Sequence, residues 1–251
     1  MIEIKDHGPI RELRLARPPV NALNPELMRR FNTEMAAAIA AGARAIVISG
    51  QPGMFTAGLD VPELLRLDRL QMLECWKVFF AAQAHLATSP VPVAAAITGH
   101  SPAGGAVLAL YCDYRVMADG KFKIGLNEVQ VGLTPGPVIC AVLRRIVGSR
   151  QAERLVSAGL LLSPVEAVAI DLVDRVVPLH EVVPATIEWA QQMISLPPRA
   201  VAVTRAIARA DLIELLSHIT ERDYELMNDV WFSDETQQTL RQLVERLKGG
   251  S

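Results

Sequence analysis

Short runs of apolar residues, each bounded by turn residues, recur through the first half of the chain. Residues 1–16 alternate between apolar and polar positions around His7-Gly8-Pro9, which predicts a hairpin of two strands. The runs 43–50 and 89–99 are almost continuously apolar, as in strands buried on both faces, and 112–118 predicts a third strand. Helical segments separate these strands, so the pattern favours an α/β layered fold.

Capping residues mark the helix boundaries. Asn24-Pro25 predicts the start of a helix that ends near Gly42. Ser163-Pro164, with Glu166 three residues after the serine, predicts another helix start, and a short strand at 173–178 follows. Further helices are expected at 183–195, 199–216, 218–230 and 234–248.

The last of these helices is amphipathic. Leu240, Val244 and Leu247 form one apolar stripe, with charged residues elsewhere. Such a helix either docks against a neighbouring subunit or covers its own core, and the pattern alone does not distinguish the two.

Composition narrows the class of protein. The chain has 251 residues, is 51% apolar and carries a net charge of −2, which supports a sizeable core and gives no basic run for binding nucleic acid. The stretch 91–112 carries no formal charge, but glycine and proline interrupt it too often for a membrane span. Three cysteines without CxxC spacing indicate reduced thiols, and no signal or peroxisomal motif is present, so we expect a cytoplasmic protein.

The most informative segment is "ITGHSPAGGAVLALYCD", residues 97–113. A phosphate-binding loop would need a lysine after the glycines, and a serine-hydrolase elbow would need a glycine two residues after Ser101; both are missing. Glycines at a helix start also leave backbone N–H groups unpaired, and a substrate oxygen can approach Gly104 and Gly105 closely. An oxyanion hole and simple close packing both fit this segment.

A second glycine-rich loop, "GQPGMFTAGLDVPELL" at 50–65, also leads from a buried strand into a helix. Asp60 and Glu63 have the spacing of a capping box, which explains both residues without catalysis. The amide of Leu59, just before the cap, is a candidate second donor for the oxyanion.

These segments together resemble the crotonase (enoyl-CoA hydratase/isomerase) superfamily along nearly the whole chain. The resemblance rests on "PPVNALN" (18–24), "FTAGLD" (55–60), "GHSPAGGAVLALYCD" (99–113) and "SLPPRAVAVTRAI" (195–207). It implies a spiral of ββα units over 1–190 and a C-terminal helical region over 191–251 that makes oligomer contacts. It also implies acyl-CoA thioester substrates, a homotrimer or dimer of trimers, no cofactor beyond the coenzyme A of the substrate, and no metal.

The resemblance assigns roles to individual residues. It implies that the backbone amides of Leu59 and Gly104 form the oxyanion hole. Hydratases of the superfamily carry two catalytic glutamates; Val107 occupies the first of these positions and Glu128 the second. A single glutamate resembles the isomerases that convert 3-enoyl-CoA to trans-2-enoyl-CoA, with Glu128 as the proton shuttle. The residues expected to line the substrate site are Ala57, Gly58, Asp60, Val61 and Val107.

Other interpretations stay open at this point. The chain could run another crotonase reaction, such as hydration, decarboxylation or thioester hydrolysis, or bind acyl-CoA without turnover. Cationic neighbours for the coenzyme A phosphates are suggested by position alone at Arg17, Lys121 and Lys123. The five histidines lack metal-binding spacing.

Overall fold

The computed structural model of the chain describes residues 1–249. The strands are β1 (Ile2–His7), β2 (Ile10–Leu15), β3 (Ala45–Ser49), β4 (Gly53–Met54), β5 (Val93–Ile97), β6 (Gly99–Pro102), β7 (Tyr114–Ala118), β8 (Ile124–Gly125) and β9 (Arg175–Val177). The helices are α1 (Pro25–Ala40), α2 (Val61–Leu64), α3 (Arg69–Thr88), α4 (Gly104–Leu110), α5 (Gly136–Val147), α6 (Ser149–Ala158), α7 (Pro164–Val168), α8 (Val182–Ser195), α9 (Pro198–Ala208), α10 (Ala210–Ser217), α11 (Glu221–Trp231) and α12 (Asp234–Gly249). Two 3₁₀ turns, Glu128–Val131 and Leu179–Glu181, complete the regular structure of this part of the chain.

The main sheet has six strands in the order β1-β2-β3-β5-β7-β9. The predicted hairpin is confirmed, because β1 and β2 pair antiparallel, and every other pairing in this sheet is parallel. All residues of β3 and β5 are buried, as their continuously apolar sequences predicted. α8 packs on one face of this sheet, and α1, α3, α4 and α5 enclose the larger core on the other.

A second, smaller sheet contains β4, β6 and β8, all parallel. Each of its strands directly follows a strand of the main sheet, and a helix follows each pair: β3-β4-α2, β5-β6-α4 and β7-β8-α5. These three repeated ββα units form the spiral that the resemblance implied.

The last two helices, α11 and α12, pack on the rest of the same chain. Trp231 of α11 and Leu240 of α12 are fully buried, and they form one cluster with Trp76 of α3. The rings of Trp76 and Trp231 meet edge to face with centroids 5.8 Å apart. The apolar stripe of the last helix therefore covers the chain's own core through Leu240.

In the second half of the chain, one predicted helix is divided into two, and the predicted domain boundary falls within a helix. The single helix predicted over 199–216 is wrong, because α9 and α10 are separate helices that meet at Arg209, whose φ of −113° departs from helical geometry. The division between residues 190 and 191 stays a prediction, and it falls inside α8. Among residues 1–249, no helix has the length and apolar character needed to cross a membrane.

Candidate active site

One cavity, with a volume of about 700 Å³, brings together almost all of the predicted site residues. Gly58 is the exception, because it is not one of the residues that line the cavity. The predicted residues that line the cavity are Ala57, Leu59, Asp60, Val61, Gly104, Val107 and Glu128.

The small sheet explains why these residues meet. Leu59 follows β4, Gly104 follows β6, and Glu128 follows β8. Parallel strands present their carboxyl ends at the same edge of a sheet, and ligands of α/β proteins commonly bind at that edge. Three segments that are far apart in sequence therefore place two backbone amides and one carboxylate at the same cavity.

The Leu59 amide is oriented by a β-bridge to Leu23. The Leu23 N–H donates to the Gly58 carbonyl at 2.7 Å, and the Asp60 N–H donates to the Leu23 carbonyl at 2.9 Å. In extended backbone, the N–H groups of successive residues point to opposite sides. Because Asp60 N–H points toward Leu23, the N–H of Leu59 points away from it. Since Leu59 lines the cavity, its amide is available there as a donor.

The Gly104 amide lies close to that of Leu59. A Cβ added at Gly104 would lie 3.6 Å from the Leu59 nitrogen and 3.0 Å from Leu23 Cδ1. As the first residue of α4, Gly104 has no intrahelical acceptor for its N–H. Gly105 does not line the cavity, and a Cβ there would meet Ser101 Oγ and the Thr56 carbonyl, each at 2.9 Å, so close packing explains this second glycine.

Glu128 opens the 3₁₀ turn that follows β8. Its carbonyl accepts a hydrogen bond from Leu133 N at 3.0 Å, and the turn is fixed to α12 by Thr236 Oγ1, which donates to the Gly132 carbonyl at 2.6 Å. Its Oε2 is buried and has no hydrogen-bond partner among the described residues. Burial raises the pKa of Glu128 to about 7, against a smaller opposing effect of its own backbone N–H.

The other acidic residue of the cavity wall, Asp60, is already engaged. Its Oδ2 lies 2.6 Å from Arg17 Nη1, and its Oδ1 accepts the Glu63 N–H at 3.0 Å as the cap of α2. The full capping box predicted here is wrong in its second half, since the Glu63 carboxylate binds Arg17 and Asn24 instead. Within the described cavity wall, Glu128 is thus the one carboxylate without an ion-pair partner.

The candidate phosphate-binding cations are placed differently from one another. Arg17 lines the cavity, but two carboxylates within 2.9 Å already balance its charge. Lys121 and Lys123 are exposed and lie outside the cavity wall. Ser101 is fully buried away from the cavity, and His100 packs edge to face on Phe122.

Several wall residues escaped the sequence analysis. These residues come from α3, α11 and α12, and they extend the apolar surface of the predicted Val107, which is 1% exposed. The helical apolar pattern predicted that these residues are buried, but it could not predict that they face a cavity. The added apolar wall residues from these helices are Trp76, Phe79, Met227, Val230, Leu243 and Leu247.

The raised pKa of Glu128 predicts that this carboxylate destabilises the fold at neutral pH. Between its ordinary pKa of 4.5 and about 7, the folded state binds more protons than the unfolded state, so stability falls as pH rises through this window. Glu128→Gln should therefore exceed the parent in free energy of unfolding by up to ~3 kcal/mol at pH 8. The gain should shrink to less than about 1 kcal/mol at pH 5.

Urea denaturation of both proteins at the two pH values measures this difference. Glu153→Gln is the matched control, because Glu153 is exposed on α6 and pairs with Arg150 alone among its described neighbours. A gain that is the same at pH 5 and pH 8 would contradict the burial argument.

The chain is similar to known proteins along most of its length. The family model described as enoyl-CoA hydratase/isomerase matches residues 6–250. Human enoyl-CoA delta isomerase 1, mitochondrial, is 34% identical over 245 residues, covering 94% of this chain and 79% of the relative. A probable enoyl-CoA hydratase, echA17 of Mycobacterium avium, is 35% identical over 198 residues, covering 77% of this chain and 76% of the relative.

A solved structure extends the likeness to the whole fold. The crystal structure of human mitochondrial delta3-delta2-enoyl-CoA isomerase superimposes with a TM-score of 0.95 at 30% identity, covering 100% of this chain and 99% of that one. The spiral fold implied by the crotonase resemblance is thereby confirmed. With the family match spanning nearly every residue, this chain belongs to the enoyl-CoA hydratase/isomerase family.

Proposed function

We propose that the protein is an acyl-CoA isomerase that converts 3-enoyl-CoA to trans-2-enoyl-CoA. The observation that carries the proposal is Glu128, an unpaired carboxylate with a pKa of about 7 in the wall of a largely apolar cavity. The similarity to a human protein named enoyl-CoA delta isomerase supports the same reaction.

The proposed reaction needs one base that also returns a proton. The Glu128 carboxylate removes a proton from the α carbon of the thioester, and the electron pair of the broken C–H bond moves to the thioester oxygen, which gives a dienolate conjugated with the 3,4 double bond. The same carboxyl group then delivers a proton to the γ carbon, which leaves the double bond between the α and β carbons. A carboxyl whose pKa is near neutral can serve as base and then as acid.

The dienolate places negative charge on the thioester oxygen. In this proposal the N–H groups of Leu59 and Gly104 donate to that oxygen, because both amides lie at the cavity without a competing acceptor in the described backbone. Donors that are already in place stabilise charge as it develops, without the cost of reorganising solvent. Coenzyme A enters as part of the substrate, and the reaction needs no further cofactor.

Hydration is the second candidate, favoured by the similarity to the mycobacterial protein named a probable enoyl-CoA hydratase. Adding water across the double bond requires that the water be activated and that the α carbon be protonated. Two carboxylates share this work in the hydratases that the chain resembles. Here Val107 replaces one of them, and Asp60 is held by Arg17, so we expect hydration to be slower by roughly 10²-fold.

One enzyme preparation assayed with both substrate types tests the proposal. We expect 3-hexenoyl-CoA to be converted to its conjugated isomer, with the increase in enoyl-thioester absorbance as the measurement. Crotonyl-CoA should be hydrated roughly 100-fold more slowly. Faster hydration than isomerisation would assign the hydratase reaction, and tight acyl-CoA binding without turnover would assign a binding role.

We also propose that the chain forms a homotrimer or dimer of trimers through α9. This helix has no buried residue, and Val203 and Ile207 are 52% and 72% exposed. Ile207→Glu should lower the molar mass measured by light scattering, because a charge would enter the apolar contact. Val165→Glu, at another exposed apolar position on α7, is the control. An unchanged mass in Ile207→Glu would contradict this interface.

The cytoplasmic location stays a prediction.

A further inference from the structure

A second cavity, of about 230 Å³, lies where α9 and α10 meet the loop between α4 and β7. Its floor is apolar and comes from α4, α5 and α10. The charged residues of its wall are Asp113, Arg115, Arg145, Arg205 and Arg209. Four guanidinium groups thus surround a space in which the wall supplies one carboxylate.

The buried ion pairs do not balance. Arg205 Nε lies 2.8 Å from both oxygens of Asp113, and Arg209 Nη1 lies 2.6 Å from Oδ1 of the same carboxylate. Two guanidinium groups, each 10% exposed in its side chain, therefore share a single negative charge. A buried charge without its own partner is costly, so this arrangement favours an additional anion.

The carboxylates beside the other two arginines do not offset the surplus positive charge of Arg205 and Arg209. Arg115 pairs with Asp174 at 3.0 Å, and Arg145 pairs with the exposed Asp211 at 2.8 Å, so each of these carboxylates is matched by its own arginine. The Nε–H groups of Arg115 and Arg209 are buried and donate to no acceptor among the described residues. Burial and the adjacent Arg205 lower the pKa of Arg209, although Asp113 opposes this.

We propose that this cavity is a binding site for a small oxyanion of the phosphate class. A guanidinium group presents N–H donors in a planar fork that suits phosphate oxygens, and four such groups meet at one cavity. The volume accommodates a tetrahedral anion but not a nucleoside attached to it. None of these arginines lines the acyl cavity, so the site is independent of the proposed isomerase reaction.

Thermal unfolding of the full chain in phosphate tests the proposal. Sodium phosphate, added at constant ionic strength against sodium chloride, should raise the Tm with saturation, by about 5 °C at a hundredfold excess over the dissociation constant. Isothermal titration with phosphate should give a matching dissociation constant. Adenosine monophosphate distinguishes the source, since a response to it as well assigns the phosphate group of a larger molecule that leaves its nucleoside outside.

Two variants with the same change of charge locate the effect. Arg145→Gln removes one wall guanidinium that is 38% exposed, and the Tm response should be lost. Arg150→Gln, at an exposed position on α6 outside this wall, should respond as the parent does. Equal Tm curves in phosphate and chloride, or an undiminished response in Arg145→Gln, would overturn the proposal. If phosphate has no effect and Arg145→Gln lowers the oligomer mass, the surplus charge belongs to a contact with a second copy instead.

Discussion

Glu128→Gln should lower the kcat for 3-hexenoyl-CoA isomerisation by about 10²–10⁴-fold. Glutamine has nearly the same shape as glutamate, but its amide cannot take a proton from the α carbon or return one to the γ carbon. Because the cavity wall keeps its shape, we expect KM to change little. Steady-state rates of the parent and the variant measure the loss, and exposed Glu153→Gln on α6 should keep the parent rate.

The same carboxyl sets the pH dependence of the parent enzyme. With a pKa of about 7, Glu128 is protonated at lower pH, where it cannot act as the base. The value of kcat/KM should therefore fall about tenfold for each pH unit well below 7. The residual activity of Glu128→Gln should lack this dependence. A parent-like rate in the variant, or a pH profile common to both proteins, would remove Glu128 from the mechanism.

Gly58→Ala should lower kcat by about 10²–10³-fold, although Gly58 is not itself part of the cavity wall. Its φ is +84°, and an added Cβ would lie 3.2 Å from the Gly104 nitrogen. The methyl group would also lie 3.2 Å from the Pro102 carbonyl, so it would push the two loops apart. The two amides would then no longer converge on one thioester oxygen.

Gly42→Ala is a closely matched control for this prediction. Gly42 also has a φ of +84°, but an added Cβ there would meet nothing within 4 Å. Both variants should lose similar stability, about 1–2 kcal/mol, from the left-handed backbone conformation. Only Gly58→Ala should lose rate as well. Equal kcat values for the two variants would show that the spacing of the loops does not matter for turnover.

Much of this architecture could be predicted because capping residues, apolar periodicity and glycine-rich loops indicate it locally in the sequence. Asn24 and Ser163 cap their helices as expected, with Asn24 Oδ1 accepting the Leu27 N–H at 2.8 Å. The hairpin and the buried strands followed from periodicity, and the glycine loops located the two amides. These features depend on a few neighbouring residues, which a single sequence displays directly.

The small sheet could not be predicted in the same way. β4 and β8 have two residues each, too few for any alternation to be visible. Their pairing depends on close backbone approach instead, since a Cβ at Gly99 would lie 2.0 Å from the Gly53 carbonyl carbon. Such contacts join residues about 45 positions apart, and no local pattern reports them.

The break between α9 and α10 was missed for a related reason. Arg209 is a good helix former and nothing beside it signals an end. Its guanidinium instead binds Asp113 and the Tyr111 carbonyl. Tertiary contacts of this kind override local propensity.

The contact between Thr236 and the Glu128 turn joins two parts of the chain that are synthesised at different times. A ribosome makes Glu128 more than one hundred residues before it makes α12, which begins at Asp234. Until that last helix is made, Leu243 cannot cover the cavity, and we expect water to reach the carboxylate. A nascent chain should therefore hold Glu128 as an ordinary acid, and its tuned proton chemistry should arise only when synthesis is nearly complete.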